Sequence, residues 1–183
     1  MTFLPDDYKP PAASGGNYLK FQQGKTTLRI IGDSTSGTAI VGWLGWSEEN
    51  GKRKPHRSTD KPPAGTFAEN PKHFWAFLVW NPEAERVQIC EIVQRGIQDA
   101  LRELINDSDW GDLKGYDVTI QRDGEGLETS YTVLPKPKST LKGTSVEVIE
   151  ESLPKINLAA LYTGDDPFAA METASPAEGS DPF

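Results

Sequence analysis

The sequence predicts a mainly β, antiparallel domain with one main helix set before the last hairpin and flexible segments at both ends. Three observations carry this. Six short runs are rich in β-branched and aromatic residues, glycine-, asparagine- and proline-containing turns separate them, and a single stretch switches to helical periodicity. With 183 residues the chain suffices for one sizeable domain plus tails.

Residues 1–16, rich in Pro, Gly, Ala and Ser, hold too few large apolar groups to offset ordering entropy and read as a flexible arm. TTLRIIG (26–32) and TAIVGWLGW (38–46) are strands joined by DSTSG, whose small polar residues suit a hairpin-like turn. On the first, Leu28 and Ile30 face one way and Thr27, Arg29 and Ile31 the other. The next 25 residues, SEENGKRKPHRSTDKPPAGTFAENP, read as a long loop of the kind that is functional or disordered rather than accidental.

KHFWAFLVWN (72–81) and ERVQICEIV (85–93) form a second strand pair around NPEAE. HFWAFLVW carries large groups at nearly every position, so one face, Phe74/Ala76/Leu78/Trp80 or His73/Trp75/Phe77/Val79, is core, and about half of its aromatics pack rather than bind. In VQRGIQDALRELINDSDWG the apolar residues Val93, Ile97, Ala100, Leu101, Leu104 and Ile105 share one helical face. GYDVTIQRDG and GLETSYTVLP then alternate around DGEG as a final hairpin. A Pro/Lys connector follows, then one or two short helices within 147–162. From 163 to 183 the composition is small and acidic and reads as disordered.

Strands, helix and closing hairpin in this order match a five- or six-stranded antiparallel Greek-key barrel of the OB type over residues 17–146. Strand order is not legible from periodicity, so another small β-barrel or a sandwich stays open.

The net charge of −8 is not spread evenly. Residues 10–146 balance, with 17 basic and 17 acidic side chains, while residues 147–183 carry −7. No stretch approaches the roughly 18 apolar residues of a membrane helix, and the opening residues lack a signal-peptide pattern, so the expected location is cytoplasmic. Cys90 has no partner cysteine, and with His56 and His73 it offers no close-spaced ligand pair for zinc. Asp107, Asp109, Asp112 and Asp117 could hold magnesium, but acids at a helix end and turn more often bond to backbone. Phosphate-loop, zinc-protease and nucleophile-elbow motifs are missing from the sequence, so the expectation is a protein without enzymatic activity or cofactor.

Between Lys52 and Lys72 the chain carries Lys52, Arg53, Lys54, Arg57, Lys61 and Lys72 against only Asp60 and Glu69. Trp43, Trp46, Phe67, Phe74, Trp75, Phe77 and Trp80 lie in or beside this segment. Cations that neutralise phosphates and flat rings that stack on unpaired bases are what single-stranded nucleic acid requires. The candidate DNA-binding residues are therefore Arg29, Trp43, Trp46, Lys52, Arg53, Lys54, Arg57, Phe67, Lys72, His73, Trp75 and Phe77.

Over residues 17–142 the sequence resembles the single-stranded DNA-binding proteins of bacteriophages. The likeness is carried by PKHFWAFLVWN, by VQRGIQDALRELIND and above all by DWGDLKGYDVTIQRDGEGLETSYTVLPKPKS (109–139). Its ending resembles the acidic, Pro-Phe-closing tips of bacterial single-stranded DNA-binding proteins, matched by Asp181, Pro182 and Phe183 and internally by Asp165, Asp166, Pro167 and Phe168. The resemblance implies an OB-fold, single-stranded DNA as ligand, and replication, recombination or repair proteins as partners of the tail. This sequence lacks the zinc ligands of some phage members and the hydrophobic residue often found before the terminal proline. A tethered polyanion would also compete with DNA for a cationic groove. A protein-interaction adaptor, an RNA-binding variant and a nuclease using the Asp107–Asp117 acids are the alternatives.

Overall fold

The computed structural model describes residues 16–173. Seven antiparallel strands in one sheet dominate it: β1 (Gly24–Ile30), β2 (Ala39–Glu49), β3 (Lys52–Ser58), β4 (Lys72–Asn81), β5 (Arg86–Ile92), β6 (Tyr116–Asp123) and β7 (Ser130–Lys138). Four helices accompany them: α1 (Arg95–Asn106), α2 (Gly143–Ser152), α3 (Ala160–Thr163) and α4 (Ala169–Thr173). The sheet order is β3-β2-β4-β1-β6-β7, with β5 paired to β4.

β4 is the hub. Its first half pairs β2, matching His73 to Trp43 and Trp75 to Val41, while Val79 and Trp80 pair Ile30 and Arg29 of β1. Its other edge pairs β5 from Trp75 to Asn81. The uniform hydrophobicity of this strand follows: Phe74, Ala76, Leu78 and Trp80 are buried on one face, and Phe77 and Val79 on the other.

The two faces feed two cores. The inner core joins Leu28, Ile30, Phe77, Val79, Cys90 and Ile92 to Val118, Ile120 and the α1 residues Ile97 and Leu101. Burial pushes the Cys90 thiol far up, which leaves it unreactive. α1 supplies the predicted amphipathic face, although Ile105 at its end is half exposed. The outer core sets Leu44, Phe74, Leu78, Trp80 and Ile89 against Ile149, Ile156, Leu158, Leu161 and Phe168.

Two expectations are corrected. The basic segment is not all loop: residues 52–58 form β3, paired along their length with β2 through a tight turn at Asn50–Gly51. Both turn residues have positive φ, 51° and 75°, as a type I′ hairpin demands. The strand count is thus seven rather than five or six. Residues 163–173 also depart from the expected disorder. Phe168 is only 1% exposed, its ring meets Tyr18 edge-on at 6.2 Å, and Met171 packs on the same outer core. One deeply buried ring outweighs the polar composition around it. Residues 1–15 of the expected N-terminal arm (1–16) and the second phrase, with Asp181, Pro182 and Phe183, lie outside the described residues.

Candidate nucleic-acid interface

β4 extends beyond β1, and the inner-face residues of its first half reach the rim of the inner core, where Trp75 still packs against it. His73 is exposed and Trp75 half-buried, and the register brings Trp43 of β2 opposite His73, with the two rings edge-on at 5.3 Å. Lys61 reaches back from the loop after β3 to place its ammonium 5.1 Å from the Trp43 ring centroid. α1 closes the far side. Gln98, almost fully buried, donates from its side-chain amide to the carbonyls of His73 and Ile92, both at 3.1 Å, and so pins the helix to β4 and β5.

These elements enclose an open recess of about 550 Å³ lined by Trp43, Lys72, His73, Trp75 and, from the helix side, Val93, Arg95, Gln98, Asp99 and Arg102. Arg95 and Arg102 lie within 3.6 and 3.9 Å of Asp99, but both guanidiniums are largely exposed and weakly held. Partly exposed flat rings beside solvent-facing guanidiniums are the side-chain chemistry that unpaired bases and phosphates engage.

The same sheet face continues across β2 to β3. Gly45 has no side chain, and a Cβ there would fall 2.2 Å from the Phe67 ring. The vacancy lets Phe67 fold down from the loop and lie 5.5 Å from His56 with the rings tilted by 31°. His56 is itself held by Ser47 at 2.6 Å. Trp75, His73, Trp43 and the Phe67–His56 pair thus belong to one face across three strands.

Other predicted residues lie elsewhere. Arg29 is 3% exposed and fully engaged: its Nε donates to Asp117 at 2.7 Å, and its terminal nitrogens donate to the carbonyls of Lys114 and Ser139 and to the Ser139 hydroxyl. It is a buried brace, because the connector after β7 covers the face that alternation left open. Phe77 is internal. Arg57 is on the outer face in a two-pronged pair with Glu91, at 2.6 and 3.0 Å.

Trp46 also belongs to the outer face, with the Arg53 guanidinium 4.6 Å from its ring centroid. Arg53 reaches Glu69 at 3.1 Å, and Lys54 lies 3.5 Å from Glu49. Lys52, beside the hairpin turn, is exposed. Asp165, Asp166, Pro167 and Phe168 lie on the outer face, away from the recess.

Of the twelve predicted residues, Trp43, Lys72, His73 and Trp75 converge on the recess. Arg95, Gln98 and Arg102 were missed because the helix was read only for its apolar stripe. Their spacing (95, 98, 102) is itself a helical stripe, and that signal was present in the sequence. Among the described residues no helix is long and apolar enough to cross a membrane. The chain matches no known family model, and no curated protein matches it.

Proposed function

We propose that this chain is a non-enzymatic protein that binds single-stranded DNA without regard to sequence, on an OB-like barrel of Greek-key descent. It would coat exposed strands during replication, recombination or repair. The observation that carries the reading is the recess where Trp43, His73 and Trp75 meet Lys61, Lys72, Arg95 and Arg102. Stacking and phosphate contacts do not read base edges, so sequence independence follows. The resemblance to phage single-stranded DNA-binding proteins points the same way and suggests a phage origin and a host-cell cytoplasmic setting.

The acidic tail enters this reading in narrower form. Asp165 and Asp166 are committed to the outer face, so competition with DNA falls to Glu172, Glu178 and Asp181, and recruitment of partner proteins to the Asp181–Phe183 phrase. Removing residues 174–183 is expected to tighten binding at low salt.

Titrating oligo-dT against the intrinsic tryptophan fluorescence tests the core of the proposal. Quenching that weakens as salt rises is expected. Equal affinity for duplex, or no quenching at low salt, rejects it. Oligo-U in parallel separates DNA from RNA preference. Binding that is flat with salt and indifferent to nucleic acid would favour the protein-adaptor reading.

A further inference from the structure

The interface leaves one sequence feature unexplained: the phrase GDDPF (164–168) is repeated as GSDPF (179–183). The structure shows what each position of the first copy does. Gly164 ends α3 in the left-handed region at φ 78°, a conformation glycine adopts without strain. The Asp166 carboxylate accepts the Phe168 backbone N–H at 2.9 Å and fixes the turn. Pro167 is buried, and its carbonyl accepts the Asn157 N–H at 2.9 Å. Phe168 fills the outer core beside Tyr18.

The second copy keeps all four of these residue types, as Gly179, Asp181, Pro182 and Phe183. It differs only where Ser180 replaces Asp165, an exposed position whose carboxylate accepts the Thr163 hydroxyl of its own segment. The repeat therefore preserves what the slot uses and varies where the slot asks least. Lys54 and Arg57 line the same recess as Asp165 and Asp166, with Arg57 paired to Glu91 and Lys54 to Glu49, so the apolar Pro-Phe part of the phrase, more than its charge, is what the slot holds.

We propose that this slot is a receptor for the phrase itself, and that residues 179–183 of the same chain exchange with residues 164–168 in it. With residues 164–173 released, the fifteen residues from Gly164 to Glu178 can span roughly 50–54 Å when extended, enough to bring residues 179–183 back to the slot beside the end of α3. Tethering gives an effective concentration of up to about millimolar, which favours the chain's own copy over that of another molecule at ordinary concentrations. One copy then seals the outer face while the other is offered to a partner, so engaging a partner does not strip the core. This is independent of the DNA-binding reading, since it concerns the opposite face and is tested without nucleic acid.

The test is a double-mutant cycle in the full chain, read by urea unfolding. Phe183→Ala alone should behave as wild type, and Phe168→Ala should lose less than half of what the double variant loses. The deficits are then non-additive because the second ring substitutes for the first. If Phe168→Ala is as damaged as the double variant, the exchange is refuted. Should Phe168→Ala fail to fold, Phe168→Leu is followed instead by proton NMR: a contact between the Phe183 and Tyr18 rings is expected, and its absence refutes the exchange. The rescue should hold unchanged over about a hundredfold range of protein concentration. Dependence on concentration would assign the second copy to another molecule and overturn the same-chain claim.

Discussion

The two faces of β4 are built from similar residues and serve opposite ends. On the outer face Phe74, Ala76, Leu78 and Trp80 are sealed beneath the segment that runs from Leu141 to Met171. On the inner face only Phe77 and Val79 are sealed, and His73 and Trp75 continue past the core into a recess. What separates a packing aromatic from an available one is thus the reach of the neighbouring elements. β1 pairs only the Val79–Trp80 end of the strand, which leaves the other end to β2 and α1.

The sharpest way to break this contrast is on the covered side. Leu158, 2% exposed, sits in the outer core, and Leu158→Ala should cost about 3 kcal/mol in urea unfolding while oligo-dT affinity of the folded fraction holds. A comparable loss of affinity would mean the faces are not separable. Next comes the open side: Trp43→Ala should weaken oligo-dT binding by about 1–3 kcal/mol, the worth of a stacked base, with a smaller change in thermal midpoint. A variant that binds normally would remove Trp43 from the interface.

Arg95→Gln with Arg102→Gln should reduce affinity roughly tenfold at low salt. It should also flatten the dependence of log K on log salt by about 1.4, the share of two phosphate contacts. An unchanged slope would show that α1 does not meet the backbone of the ligand. The smallest effect on affinity is expected at the hairpin joining β2 to β3: Gly51→Ala, at φ 75°, should cost about 1–2 kcal/mol of stability and lower affinity only slightly.

Much of this was legible in the chain. Six strands and α1 appear near their predicted positions because periodicity and turn residues agree there. β3 was hidden because KRKPHRS has none of the usual strand residues. Charges and a proline suit an edge strand, and Asn50–Gly51 was the signal that a partner strand followed. Alternation placed Arg29 opposite Leu28 correctly, yet it could not reveal that Ser139, 110 residues away, would close over it. Composition likewise hid the docking of Phe168, since burial of one ring depends on a cavity supplied by distant elements.

The hub position of β4 has a consequence for biosynthesis. HFWAFLVW leaves the ribosome long before residues 141–171, which cover its outer face. At about 5–20 residues per second the gap is of the order of 5–20 seconds. Throughout that interval an apolar, β-prone ribbon stands bare on one side and can pair with its like on neighbouring nascent chains. The chain therefore has a window of aggregation risk that closes only when its last quarter is made, and chaperones acting during translation should matter more to its yield than those acting afterwards.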